Sequence, residues 1–248
     1  NVTTITIDTG GTLNAKGLGF SKQRGPGNGT SGEGGTHGGV GSDYNTAGYN
    51  TDSTYGSMTN PITLGSGGEG TAGGGAIIIN ASGTATVNGN TDADASYTTV
   101  RGGAGGSINI TANTLTGTGI MRANGGGTVF GGGGGRIGLN GVTTDEFAGT
   151  LQANGGGSGY NGFAGTIYLN SERRTDLVIG SSTGLTTLRL GSDDSSDYTF
   201  TNIHIMSGGT LEIDGNPNSN GLTGSAATIN IGTLIIDANG SLSADTLG

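Results

Sequence analysis

The sequence predicts an all-β fold: a parallel β-solenoid whose turns are completed by ordered, polyglycine-II-like segments. Three observations carry this. Glycine is too abundant for helix, since 58 of 248 residues are Gly and each Gly inside a helix costs about 1 kcal/mol relative to Ala. The apolar residues come as short alternating runs of Ile, Val, Leu and Thr, which suit a pleated, half-buried surface, and no stretch sustains a helical apolar period. The third observation is an internal repeat.

The repeat is carried by four phrases: Gly-Gly-Gly-Ala-Ile-Ile-Ile-Asn from Gly73, Ala-Gly-Gly-Ser-Ile-Asn-Ile-Thr from Ala104, Gly-Gly-Gly-Arg-Ile-Gly-Leu-Asn from Gly133, and Phe-Ala-Gly-Thr-Ile-Tyr-Leu-Asn from Phe163. Their first Ile residues are Ile77, Ile108, Ile137 and Ile167, in steps of 31, 29 and 30. One such unit cannot bury its apolar face, whereas stacked copies bury a continuous column. At the ordinary strand spacing of about 4.8 Å, these four Ile form one inward ladder, and Ile79, Ile110, Leu139 and Leu169 form a second. The residues between them, Ile78, Asn109, Gly138 and Tyr168, vary in chemistry as an outward face does.

Each unit holds a second strand, read at Thr86–Gly89, Ile120–Gly126 and Leu151–Gly156. Asn-Gly closes it, a pair that tolerates positive φ. Glycine runs follow two of these strands, Gly125–Gly127 with Gly131–Gly135, and Gly155–Gly157. Such runs alone read as flexible linker. Their recurrence in register with strands predicts extended three-fold glycine helices, close in geometry to polyproline II, lying side by side.

The chain therefore reads as one elongated repeat domain, 1–248. Residues 17–75 are a glycine-rich insertion seeded with Phe20, Tyr44, Tyr49 and Tyr55. Residues 76–170 are four units of about 30 residues. Residues 171–248 are further β rungs with a looser period.

Composition excludes several function classes. The net charge is −9, with 9 basic and 18 acidic residues, so there is no footprint for nucleic acid. No apolar run approaches the roughly 20 residues of a membrane-spanning helix. Cysteine is absent, which removes disulfides, thiol catalysis and Cys-based metal sites.

Candidate chemistry is sparse. Asp193, Asp194 and Asp197 place three carboxylates within five residues, a spacing that can converge on one Ca²⁺; the competing reading is a solvated acidic turn. Asp92 with Asp94 reads as a loop pair, and Asp145-Glu146 as a turn. His37 lies in a glycine tract, and His204, between Ile203 and Ile205, reads as outward-facing. Thr-x-Thr phrases do not recur at one phase of the repeat, so an ice-binding array is not indicated. The glycine runs near Arg136 lack the Gly-Lys-[Ser/Thr] ending of a phosphate loop. No cofactor is expected beyond the calcium candidate.

The string Gly131–Ile137 and the Leu-Gln-Ala-Asn-Gly-Gly motif at Leu151–Gly156 resemble the glycine-rich repeats of very large secreted bacterial or archaeal surface proteins. The phrase Ile203–Leu211 resembles strand-turn phrases of adhesin-type parallel β-helices. The resemblance implies an extracellular or cell-surface location and a structural or adhesive role, and supplies no catalytic residues.

The two ends of the sequence match each other. Residues 4–19 align without a gap on residues 233–248, with identity at Thr4, Ile7, Asp8, Gly11, Leu13, Ala15, Leu18 and Gly19. This predicts that the end with Val2, Ile5, Ile7 and Leu13 contacts the end with Leu234, Ile236 and Leu242 of another unit, by strand pairing between copies or by covalent continuation in a tandem array. The expected function is a non-enzymatic structural protein whose partner is itself. The alternatives are an adhesin for glycan or another surface, which gains if Tyr44, Tyr49 and Tyr55 share one exposed tip, and, less favoured, a β-helix carbohydrate-active enzyme.

Overall fold

A computed structural model describes residues 1–44, 48–49, 54–97, 100–171, 174–179, 186–190, 197–206, 209–213 and 228–244. Every regular element among them is a β-strand. In chain order these are β1 (Ile5–Ile7), β2 (Thr12–Asn14), β3 (Ser42–Asp43), β4 (Gly48–Tyr49), β5 (Ala76–Val87), β6 (Asn90–Asp92), β7 (Ser107–Gly117), β8 (Ile120–Arg122), β9 (Arg136–Val142), β10 (Thr144–Phe147), β11 (Thr150–Gln152), β12 (Thr166–Ser171), β13 (Arg174–Ile179), β14 (Thr186–Leu190), β15 (Asp197–Ile205), β16 (Gly209–Ile213), β17 (Thr228–Ile236) and β18 (Ser241–Ser243).

They stack as a β-solenoid of about four turns. A nine-stranded sheet runs the length of the stack in the order β1-β5-β7-β9-β12-β13-β15-β17, with β10 also paired to β7. A second sheet, β11-β8-β6-β2, flanks its first half, and a third, β14-β16-β18, flanks its second half. The expected ladder is present: Ile77, Ile108, Ile137 and Ile167 are paired in register. Ile108 and Ile137 are fully buried, and burial of each contributes about 1.5–3 kcal/mol. Ile79, Ile110 and Leu139 are buried beside them.

The glycine segments are ordered and interior. Successive amides of Gly131–Gly135 donate to Tyr160, Gly126, Gly35, Phe163 and Ala123. Every third amide thus returns to the same neighbour: Gly131 and Gly134 bond the next turn, Gly132 and Gly135 the adjoining segment 123–126, and Gly133 the insertion. That three-fold rotation is the signature of an extended glycine helix bonded laterally on all sides. One turn earlier, Gly102 and Gly105 likewise donate to the next turn, at Phe130 and Gly133, and Ala104 donates to Ser66 of the insertion. A side chain has no room here, since a Cβ on Gly133 meets the Gly39 carbonyl. Within the segments 102–106, 125–135 and 155–165, Gly127 and Gly157, one period apart, take left-handed φ, +94° and +93°, where each segment turns.

The sheet is parallel except at one joint. β12 and β13 pair antiparallel, Tyr168 opposite Leu177. Two residues separate Ser171 from Arg174, a connection long enough for a hairpin and far too short for a parallel crossover. The core changes sides at this joint. Ile167 packs against the cluster of Ile108 and Ile137, while Tyr168 belongs to a second cluster with Met58, Phe200, Ile203, Ile205 and Leu211. Neighbouring residues of a strand point to opposite faces, so the two cores lie on opposite faces of the shared sheet. The halves of the stack are related by a half-turn about its axis.

Three expectations are corrected here. The column Ile78, Asn109, Gly138, Tyr168 is not an outward face throughout: Ile78 is exposed, but Asn109 and Tyr168 are buried. The insertion covers it, with Asn109 Nδ2 donating to Asn60 Oδ1 at 2.6 Å and Gly138 lying under Pro61. The second strand of the first unit is Asn90–Asp92, in register with Ile120–Arg122; Thr86 and Val87 end the preceding strand. Asp145 and Glu146 lie in β10, not a turn, because β10 resumes along β7 the parallel pairing that β9 begins.

Candidate functional site

The terminal turns of the described structure carry partly exposed apolar side chains. At one end Ile203, Ile205 and Leu211 are fully buried, and in register on them lie Leu234, Ile236 and Leu242, exposed at 40%, 43% and 47%, with no described strand stacked beyond them. At the other end Val87 and Thr91 are fully buried beneath Ile7 and Leu13. Leu13 is 37% exposed and Ile5 partly exposed, whereas Ile7 is itself buried; Val2, which pairs with Ala81, is 46% exposed. The seven residues expected to form an assembly surface thus fall into two groups on the two terminal turns.

These terminal turns share one corner geometry. In the first, Gly11 donates its amide to Asp8 at 2.8 Å, and Gly10 has φ +83°. In the last, Gly240 donates to Asp237 at 2.9 Å, and Asn239 has φ +66°. Each corner spans six positions from the last strand residue inward, Ile7 to Leu13 and Ile236 to Leu242. Ile205 to Leu211 spans six as well. The corners stacked directly on β1 and β2 span only four, from Val87 to Thr91, since Val87 pairs with Ile7 and Thr91 with Leu13. The first turn therefore shares its corner span with the last two, whereas the corner from Ile179 to Leu188 spans nine positions.

The polar clusters are structural in their contacts. Asp92, expected in a loop, ends β6 and is buried, with its Oδ2 at 2.8 Å from Arg122 Nη2. Asp94 Oδ2 lies 3.2 Å from Arg122 Nε. Asp94 Oδ1 accepts the Asn124 amide, and Asn124 Oδ1 accepts the Asn154 amide, at 2.7 and 2.8 Å. This side-chain ladder climbs one turn per step. Burial, reinforced by the Asp92 charge, pushes the Asp94 carboxyl up to about 6.

His37 is fully buried, which its glycine-tract context did not signal. Its Nδ1 donates to the Gly105 carbonyl at 2.7 Å, so Nε2 accepts from the Thr63 hydroxyl at 2.8 Å. Burial first, and the Arg136 charge second, lower its pKa to about 3. His204 lies between the fully buried Ile203 and Ile205 on the outward side of its strand, as expected, and is partly exposed, with Nε2 at 3.0 Å from Asp237 Oδ1.

The aromatic residues do not form the tip set out above. Tyr44 is exposed, but the Tyr55 hydroxyl donates to the Leu64 carbonyl and meets Ser66 inside the structure; the Tyr49 side chain lies outside the described residues. An aromatic row unforeseen in the sequence runs along the glycine turns instead. Phe130 stacks on Tyr160 at 4.9 Å, the Arg101 guanidinium lies 5.5 Å from the Phe130 ring, and Tyr44 meets Phe130 edge-on. The 30-residue spacing of Phe130 and Tyr160 was the available signal.

Asp193 and Asp194 lie outside the described residues, and Asp197 opens β15 opposite Thr228. Among the described residues no group of three His, Asp or Glu could hold a metal ion, and no helix is long and apolar enough to cross a membrane.

No family model, curated protein or solved structure matches the chain.

Proposed function

We propose that this chain is a structural module of an extracellular fibre, sheath or matrix, and that copies of it join end to end. The observation that carries the reading is the likeness of the two terminal turns of the described structure: residues 4–19 match 233–248 in sequence, and both corners span six positions. Leu13, Leu234, Ile236 and Leu242 are partly exposed there beside strand edges, which template further strands. The lateral bonding of every glycine segment supports a load-bearing role, because the interior is tied by backbone hydrogen bonds in several directions at once.

The glycan-adhesin alternative finds less support. Sugar rings stack on the faces of aromatic rings, and Phe130 and Tyr160 spend their facing sides on each other. The reading is tested by negative-stain imaging and sedimentation of the purified chain at micromolar concentration. Filaments or a concentration-dependent series of oligomers are expected. A monomer at all concentrations would overturn it.

A further inference from the structure

We infer that β1 of a second copy of this chain pairs parallel with β17, with Ile7 in register with Ile236 and Leu13 with Leu242. The inference rests on the end-to-end reading above and adds to it the partner strand, its direction and its register.

Three independent features point to that register. The first is corner type. Corners of equal span can follow one path, although the fold also stacks unequal ones, since β1 and β2 pair with β5 and β6 on both sides of the bend. The six-position corner at Ile7–Leu13 matches Ile236–Leu242 and differs from the four-position corners it meets within its own stack.

The second is the phase of the backbone hydrogen bonds. In the second half, the last residue before each corner turns its carbonyl toward the following turn: Ile179 accepts from Met206, and Ile205 accepts from Asp237, both at 2.8 Å. Ile7 does the same, accepting from Asn88 at 2.8 Å. By this phase the Ile236 carbonyl points out of the open end. The Asp8 amide, equivalent to those of Met206 and Asp237, points out of the other. The missing bond of the series is Asp8 N–H to Ile236 C=O.

The third is the position of the core. The half-turn at β12 and β13 reverses strand direction and moves the core to the other face of the sheet. A second copy turned by the same half-turn about the stacking axis presents β1 parallel to β17, with its core on the same face as Ile203 and Ile205. Ile7 then covers Ile236, and Leu13 covers Leu242.

The chain has no cysteine, so disulfide trapping reads the register cleanly. In the inferred pairing Thr12 and Ser241 are neighbours at strand spacing, within the Cα separation a disulfide spans. They sit at opposite ends of the stack in one molecule, so a bond between them joins two chains. The full chain carrying Thr12→Cys and Ser241→Cys should give a ladder of covalent oligomers on mild oxidation. Its yield should exceed by at least about tenfold that of the shifted pair Asn14→Cys with Ser241→Cys, whose Cα atoms would be more than about 7 Å apart. Equal yields, or no linked species, would overturn the register. Linkage through Asn90→Cys with Ser241→Cys would also overturn it, since that pair reports β17 and β18 replacing β1 and β2 of the neighbour. Sedimentation of the unmodified chain separates the two failures: oligomers without the expected link leave the end-to-end reading standing, whereas monomers remove both.

Discussion

Gly133 donates its amide to the carbonyl of Gly35 at 2.9 Å, binding a glycine segment of the solenoid to the insertion far upstream in the chain. Gly39 lies on the same segment, and its carbonyl occupies the space a side chain on Gly133 would need. Gly133→Ala should therefore part the two layers. A loss of about 2–4 kcal/mol is expected, the range for overpacking combined with broken buried hydrogen bonds. Gly10→Ala, where nothing lies within 4 Å, should cost only the strain of a left-handed φ, about 1 kcal/mol. Denaturant melts of the two variants check the contrast.

The same side chain should matter differently in the middle and at the end of a column. Ile137→Ala empties a fully buried site and should lose about 2–5 kcal/mol. Leu242→Lys alters a residue 47% exposed, so the stability of the isolated chain should shift by less than about 1 kcal/mol. Its effect should appear in sedimentation, as loss of oligomers.

Acid should act through two groups of opposite sign. Asp94 has a folded pKa raised to about 6, so its neutral form favours the fold. That contribution is complete below the unfolded value near 4 and is lost as pH rises through about 6. His37 has a folded pKa lowered to about 3. Its contribution is complete above the unfolded value near 6.5 and is lost as pH falls toward 3. The two slopes oppose each other between pH 4 and 6, so the native chain should show a flat stability profile there. Asp94→Asn keeps the oxygen that accepts the Asn124 amide and removes the titration. It should expose a fall of about 1.4 kcal/mol per pH unit below pH 6, read by chemical denaturation at successive pH values.

Salt should promote assembly. The inferred register sets Asp8 beside Asp237, and like charges facing each other across neighbouring strands repel. The whole chain adds a net charge of −9. Raising ionic strength from about 0.01 M to 0.15 M shortens the screening length from about 30 to 8 Å, so light scattering should show longer oligomers at the higher salt. Asp8→Asn should reduce that dependence.

The period, the stacked Ile ladder and the lateral packing of glycine were legible in the residue order. They depend on local alternation and on a repeat length, and both are written directly into Ile77, Ile108, Ile137 and Ile167. The kinship of the two terminal turns was legible too, from the match of residues 4–19 with 233–248. What alternation leaves open is which face of a strand becomes covered. Tyr168 reads as outward because its neighbours Ile167 and Leu169 occupy the ladder positions, yet it is buried, since the chain doubles back at Arg174 and moves the core to that face. Asn109 and Gly138 read as outward for the same reason and are covered by Asn60 and Pro61. His37 sits in a tract whose glycines carry no side chains to show periodicity, so its burial against Gly105 and Thr63 had no local trace. The sequence by itself determined the repeat and its inward column. The tertiary structure decided the side on which each half of the stack buries its core, because that choice rests on contacts between segments far apart in the chain.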